Sequence, residues 1–373
     1  MTINIKDVLK ATVQYKASDL FLKVGGPPRV RIDGAVRQLG NVALTREDMV
    51  VAFKTIVDAR AQERFGRDHE VDCAFEDADI GRFRVNAFTQ RSSIGLVLRH
   101  VKSEIPDFKT LGLISETFER LSLLRRGLIL VTGITGSGKS TTLASMIQYM
   151  NRNTQRHIIT IEDPVEYSYA DERCIINQRE VGIDTKDFKS ALRNAMREAP
   201  DVILVGEMRD AETVNAAIDA AETGHLVLST LHTINAQQTM ERIINFFPPY
   251  QHTLVRMQLS LVFQAVISQR LIPKKGGAGR IPGMELMIAT PTIKQMIEEG
   301  RTPELYNAIR DSGHFGCMTF NQSLFGLWER GEITREDALA NSDNPDEMEM
   351  LFRGIQRGGQ SQSMAIPERP AKR

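Results

Sequence analysis

Cysteine is scarce: the 373 residues contain three, Cys73, Cys174 and Cys317, all far apart. That spacing excludes a disulfide framework and a CxxC zinc pair, and it suits a reducing cytoplasm. A charge excess is also missing, because 47 Lys and Arg balance 47 Asp and Glu. Nucleic-acid-binding domains usually carry a marked basic excess, so the balance argues against DNA or RNA as a partner. No stretch interleaves aromatic and basic residues in the way single-strand binders do. No apolar run approaches the ~20 residues of a spanning helix, and the opening MTINIKDVLK is too polar for a secretory signal. What is there is an ordinary globular composition, 42% hydrophobic and 25% charged. At roughly 100–200 residues per domain, the length predicts two domains.

The first hundred residues read as a small α+β module. Ile5 to Lys16 has helical spacing, and DLFLKV, GGPP and RVRIDG read as strand, turn and strand. Thr45 caps a predicted helix running to about Arg64, with Asp48 in the acidic place of a capping box. EVDCAFE, GRFRVNAFTQ and SIGLVLRHV alternate as three antiparallel strands with one wet face. In the second of them Arg82, Arg84 and Asn86 point one way, and Phe83, Val85 and Ala87 the other.

From Gly127 the texture changes. GLILVT, HIITI, DVILV and HLVLST are near-continuous apolar strands separated by helices beginning near Lys139, Phe188 and Asp210. Strands apolar on both faces predict a parallel sheet covered by helices. A long helix beyond Pro248-Pro249, a hairpin around Lys274 to Gly279 and several short helices follow. The end, rich in Gly, Gln, Ser and Pro, is predicted to be disordered.

GITGSGKS, Gly133 to Ser140, matches the phosphate-loop pattern GxxxxGK[ST], with a strand before it and a helix after it. Glycines let successive N–H groups curl towards phosphate, and the helix N-terminus adds its positive end. Lys139 reaches the β- and γ-phosphates, and Ser140 offers a hydroxyl to Mg²⁺. Gly133, Thr135, Gly136, Ser137, Gly138 and Thr141 complete the predicted ATP cradle. Hydrolysis needs a group that activates water, and two acidic stretches follow strands. One is Glu207 in DVILVGEMRD, where Gly206 takes the usual place of the Mg²⁺-linked aspartate. The other is Glu162, Asp163 and Glu166 in TIEDPVEY.

Taken together, GITGSGKSTTLASM, TIEDPVEY, NQREVG, ALRNAMREAPDVILVGEMRD and AAETGHLVLSTLHT resemble the secretion ATPase superfamily. Within it they are similar to the PilT/PilU family of type IV pilus retraction ATPases. ASDLFLKVGGPPRVRIDG and GRFRVNAFTQ extend the likeness to about residues 1 to 340. The resemblance implies an α/β chain: an N-terminal PAS-like domain over 1–103, a linker over 104–112, a RecA-like P-loop ATPase domain with C-terminal helices over 113–352, and a tail over 353–373. It implies a homohexamer hydrolysing ATP with Mg²⁺ to power pilus retraction. The ring would lie in the cytoplasm at the inner face of the membrane, against a platform protein and in places beside a paralogous PilT-type motor.

By position in the family motifs, Glu166 is the general base and Glu207 acts on Mg²⁺ through water. Arg82, Arg84, Arg91, Arg99 and Arg126 fall in the region that supplies arginines to bound phosphate, and Arg84 and Arg99 are selected as fingers. His225 and His232 occupy the family's "His box" and are expected to sense the γ-phosphate, while two histidines without a third ligand argue poorly for zinc. Extension and type II secretion ATPases share these nucleotide motifs but generally carry an extra N-terminal domain and a tetracysteine insertion, so retraction is expected. A RecA-like nucleic-acid motor is the more distant alternative. In TPTIKQMIEEG the arginine pattern of the AIRNLIRE-type retraction helix is absent, which tilts the resemblance towards PilU.

Overall fold

The computed structural model describes residues 4–354 except 33 and 278. The tail expected to be disordered lies, from residue 355 on, outside them. Its first two residues, Arg353 and Gly354, close the last helix.

The described residues form two sheets with separate apolar cores. The first is six-stranded in the order β3-β2-β1-β6-β5-β4, with β1 Asp19–Lys23, β2 Arg29–Ile32, β3 Ala35–Gln38, β4 Glu70–Asp77, β5 Gly81–Gln90 and β6 Ser93–His100. Helices α1 Ile5–Gln14, α2 Arg46–Ile56 and α3 Ala59–Asp68 belong to the same unit. Phe83, Val85 and Ala87 are fully buried, as the alternation of β5 requires.

The helix expected from Thr45 to Arg64 is in fact two. Thr45 and Asp48 form the capping box at its start. The chain turns extended at Val57, and Asp58 then caps a new helix by accepting the Ala61 N–H. A second N-cap side chain inside an unbroken helical pattern left no break in the apolar spacing. Strand β3 was likewise not anticipated; all four of its residues are exposed, so burial imposes no alternation on it.

The second sheet has seven strands in the order β13-β12-β7-β11-β10-β8-β9. These are β7 Gly127–Thr132, β8 His157–Glu162, β9 Ile175–Glu180, β10 Val202–Val205, β11 Leu226–Leu231, β12 Phe263–Pro273 and β13 Arg280–Ile288. All neighbours are parallel except β12 and β13, which form the expected hairpin. Every residue of β7, β10 and β11 is buried, which is why their sequences read as continuous apolar runs. Helices α4 Phe108–Leu111 and α5 Ser115–Ser122 pack on α6 Lys139–Asn153, while α7 Phe188–Ala195 and α10 His252–Val262 pack on α8 Ala211–Glu222. α9 Ala236–Asn245, α11 Pro291–Glu299 and α12 Leu305–Asp311 follow the same core. A smaller core gathers α13 Phe320–Glu329, α14 Arg335–Ala340 and α15 Pro345–Phe352 against Ile272 and Ile281.

One buried acid ties this sheet to a helix. Glu285 on β13 is 2% exposed, and its carboxylate accepts the Ala236 N–H at 2.7 Å at the start of α9. Burial pushes its carboxyl up from the ordinary 4.5 to about 7. The folded state therefore keeps a proton that the unfolded chain has lost between those values. Stability should fall as pH rises from about 4.5 to about 7 and then level off. Glu285→Gln keeps an acceptor for Ala236 and should flatten that slope by roughly 1–3 kcal/mol. Denaturant titrations at pH 5 and pH 8 read the difference; equal slopes in both proteins would refute it.

Candidate functional site

The register of the parallel sheet brings four strand ends to within two residues of one another. Thr132 pairs with Leu231, Ser229 with Val205, and Val205 with Ile161. The residues that follow these strands are therefore neighbours: Gly133 and its loop, His232, Gly206-Glu207 and the turn from Glu162 to Glu166. Ligands of open parallel sheets bind at such carboxyl ends. A cleft forms there, lined by Thr135, Gly136, Lys139, Ser140, Glu162, Asp163, Glu166, Glu207, Arg209 and His232, among others.

The phosphate loop is shaped by positive φ at Gly133 (143°), Gly136 (78°) and Gly138 (94°). Lys139 is buried, and its Nζ donates to the carbonyls of Gly133 at 2.8 Å and Ile134 at 3.1 Å. Burial lowers its pKa, opposed by the charges of Glu207 and Glu166, so both carboxylates lie within electrostatic reach of the ammonium. Ser137 Oγ is buried without a hydrogen-bond partner. Such an orphaned hydroxyl beside curled N–H groups fits a phosphate cradle.

The turn carrying Glu166 is held from several sides. Thr141 Oγ1 lies 2.9 Å from Tyr167 Oη, joining the turn to α6. Gln178 on β9 donates to the Tyr167 carbonyl at 2.8 Å and accepts the Tyr169 N–H at 3.1 Å. Glu162 Oε1 accepts the Thr160 hydroxyl at 2.6 Å and the Gln178 amide at 3.3 Å. Its carboxyl end is enclosed, although the residue as a whole keeps some exposure, and burial pushes it up to about 7. Glu166 itself is exposed.

Glu207 lies between a guanidinium and an imidazole. Arg209 Nε is 3.0 Å from Glu207 Oε2 and Arg209 Nη1 is 3.6 Å from Asp163, so Arg209 bridges the two acidic turns. His232 Nε2 is 3.4 Å from Glu207 Oε1. Position 206 is glycine for a local reason: a Cβ there would sit 3.1 Å from the Ile161 carbonyl and 3.3 Å from Glu162 Cα on β8. Ser140 and Glu207, a hydroxyl and a carboxylate in one cleft, suit Mg²⁺, which prefers oxygen ligands and keeps several waters. Among the described residues no group of three or more His, Cys, Asp and Glu is placed to hold a metal by itself.

Three expected residues stand elsewhere. His225 does not line the cleft; its Nδ1 lies 2.9 Å from the Ala220 carbonyl and 3.2 Å from Thr223 Oγ1, at the end of α8. Arg84 and Arg99 are cross-strand partners on β5 and β6, and neither lines the cleft. Arg99 Nε donates to Asp19 at 2.8 Å. Arg209, Gln178 and Tyr167 were not singled out from the sequence. Arg209 is adjacent to the acidic motif and could have been noted there; Gln178 left no signal, since its role depends on β9 pairing with β8.

Known proteins resemble this chain over most of its length. The model of the type II/IV secretion system protein family matches residues 1–322. The type IV pilus ATPase PilU of Pseudomonas aeruginosa is 42% identical over 94% of this chain and 92% of its own. The chain belongs to the PilT/PilU group of that family. The pilus retraction ATPase PilT of the same organism is 44% identical over 92% of this chain and 99% of its own. A crystal structure of the pilus retraction motor PilT with bound ADP superposes with a TM-score of 0.85 at 45% identity, covering 93% of this chain and 99% of that one. The mixed α/β architecture with one parallel-rich sheet is thus the architecture of this group. Among the described residues no helix is long and apolar enough to cross a membrane.

Proposed function

We propose that this chain is a mechanochemical ATPase that powers type IV pilus retraction as a ring of six. The observation that carries the reading is the alignment of four strand ends around one cleft, with Lys139, Glu166, Glu207 and His232 facing it. Lys139 exchanges its bonds to the loop carbonyls for the β- and γ-phosphates, and the dry surroundings that lower its pKa strengthen that pairing. Ser140, and Glu207 through water, would hold Mg²⁺, which would supply positive charge to the phosphate oxygens. Glu166 takes the proton of the attacking water. His232, in contact with Glu207, reports loss of the γ-phosphate to α9, whose first turn is anchored through Ala236 to Glu285. Arg84 and Arg99 supply cations to bound phosphate across the ring.

The resulting change in angle between the two sheets would turn the inner surface of the ring. A platform protein at the inner face of the cytoplasmic membrane would follow, and pilins would leave the fibre base. An accessory, PilU-like role beside a PilT-type motor is the second reading. Its basis is α11, where Ile293 and Ile297 are buried as a helix framework while Lys294 and Glu298 stand in place of arginines. Pilus counts and twitching in cells lacking the gene separate the cases. Abundant pili without twitching support a retraction motor that nothing replaces. Normal piliation with weakened pulling supports the accessory role, and bald cells would overturn both in favour of extension.

A further inference from the structure

Two carboxylates stand beside consecutive amides of the turn that presents Glu166. The Glu166 N–H favours the carboxylate of Glu162, which belongs to the same sheet and is fixed by Thr160 and Gln178. The preceding N–H, of Val165, is on the side of Glu180, which ends β9 opposite Glu162 and whose carboxylate it favours. Glu180 is only 5% exposed, and its cation comes from the other sheet: Arg82 of β5, with Nη2 3.5 Å from Glu180 Oε2. Arg82 also contacts Glu76 at 3.3 Å, so its guanidinium is held by its own sheet as well. On the far side of Glu166, the Ser168 N–H donates to the Lys102 carbonyl at 2.9 Å, just beyond β6. The turn is therefore braced by the N-terminal sheet on both flanks.

Resting on the reading of Glu166 as the base, we infer that the Arg82–Glu180 pair is a positioning device that sets Glu166 in place only when the N-terminal sheet is docked on its own ATPase sheet. Burial disfavours the charged form of Glu180, and Arg82, the Val165 N–H and Arg84 oppose that penalty. A buried carboxylate that loses its cation is costly, and the structure responds by protonating it or moving it. Swinging the sheet away removes Arg82, frees Glu180 beside the Val165 N–H and so shifts the neighbouring Glu166. A misplacement of about 1 Å at a catalytic group can cost 10²-fold. Hydrolysis is thereby restricted to one domain angle, so ATP is not spent before the motor has closed.

The test uses the full chain in its assembled form, with ATP turnover and nucleotide affinity measured side by side. Arg82→Gln and Glu180→Gln should each lower kcat roughly 10- to 100-fold with Kd for ATP unchanged. The double variant should be no slower than the worse single one, and Arg82→Lys should restore most of the rate. If Arg82→Gln is slow but Glu180→Gln is normal, Arg82 serves phosphate directly and the positioning role is wrong. Equal loss of affinity and rate, with no recovery in Arg82→Lys, would mean general damage and also overturn it. Should Glu180→Gln fail to fold, the contrast between Arg82→Gln and Arg82→Lys decides. Glu166→Gln distinguishes the two levels: near-normal turnover there sinks the base assignment, whereas an inactive Glu166→Gln beside a fully active Arg82→Gln sinks only the coupling.

Discussion

Glu166→Gln is expected to bind ATP as tightly as the native chain and to hydrolyse it roughly 10²–10⁴-fold more slowly. The amide preserves size and leaves the bonds that Gln178 and Thr141 make to the turn untouched, so the turn keeps its shape. What disappears is the ability to accept a proton from water. The competing acid is Glu162, whose carboxyl stands near 7, a favourable value for proton transfer at neutral pH. Its Oε1, however, is occupied by the Thr160 hydroxyl and the Gln178 amide, whereas Glu166 is exposed in the cleft. Phosphate release at saturating ATP, paired with a nucleotide titration, checks the assignment. Turnover within a few-fold of native would transfer the role to Glu162.

Gly133→Ala should be the most damaging small substitution in the phosphate loop. At φ 143° an L-residue is strained, at about 1–3 kcal/mol. The new Cβ would also lie 2.5 Å from the Gln269 main-chain carbonyl and 2.5 Å from Ser137 Oγ. The carbonyl belongs to β12, which is paired with β7 and cannot withdraw. Relief must come from opening the loop, and about 3 kcal/mol taken from binding is roughly 100-fold in Kd. Gly276→Ala in the hairpin is the control. Its φ of 99° is strained too, but nothing lies within 4 Å of the added methyl. It should cost about 1–2 kcal/mol of stability and leave ATP affinity unchanged. Isothermal titration of the two variants makes the comparison; native affinity in Gly133→Ala would contradict the crowding.

Much of this was legible in the sequence, for identifiable reasons. A phosphate loop is a contiguous device made of main-chain N–H groups, so eight residues from Gly133 to Ser140 specify it almost alone. Strands buried on both faces must be apolar throughout, so β7, β8, β10 and β11 announced a parallel sheet. Caps are local as well, and Thr45 with Asp48 marked a helix start correctly.

Only the tertiary structure decided which acids share a cleft and what holds them there. β9 alternates weakly because it is the sheet's edge, and its pairing with β8 is what carries Gln178 and Glu180 to the turn of Glu166. Arg209 joins Asp163 to Glu207 across two turns, and Arg82 reaches Glu180 from another sheet. His225 and His232 look equivalent as the two ends of one strand. The fold separates them, because only the carboxyl end of β11 opens on the cleft, while the amino end meets the carbonyls closing α8. Pairings between residues far apart in the chain need only a matching charge at each end and impose no periodicity on either. The sequence therefore determines the elements and the phosphate loop, and the assembled sheets determine how the turn of Glu166 is aimed.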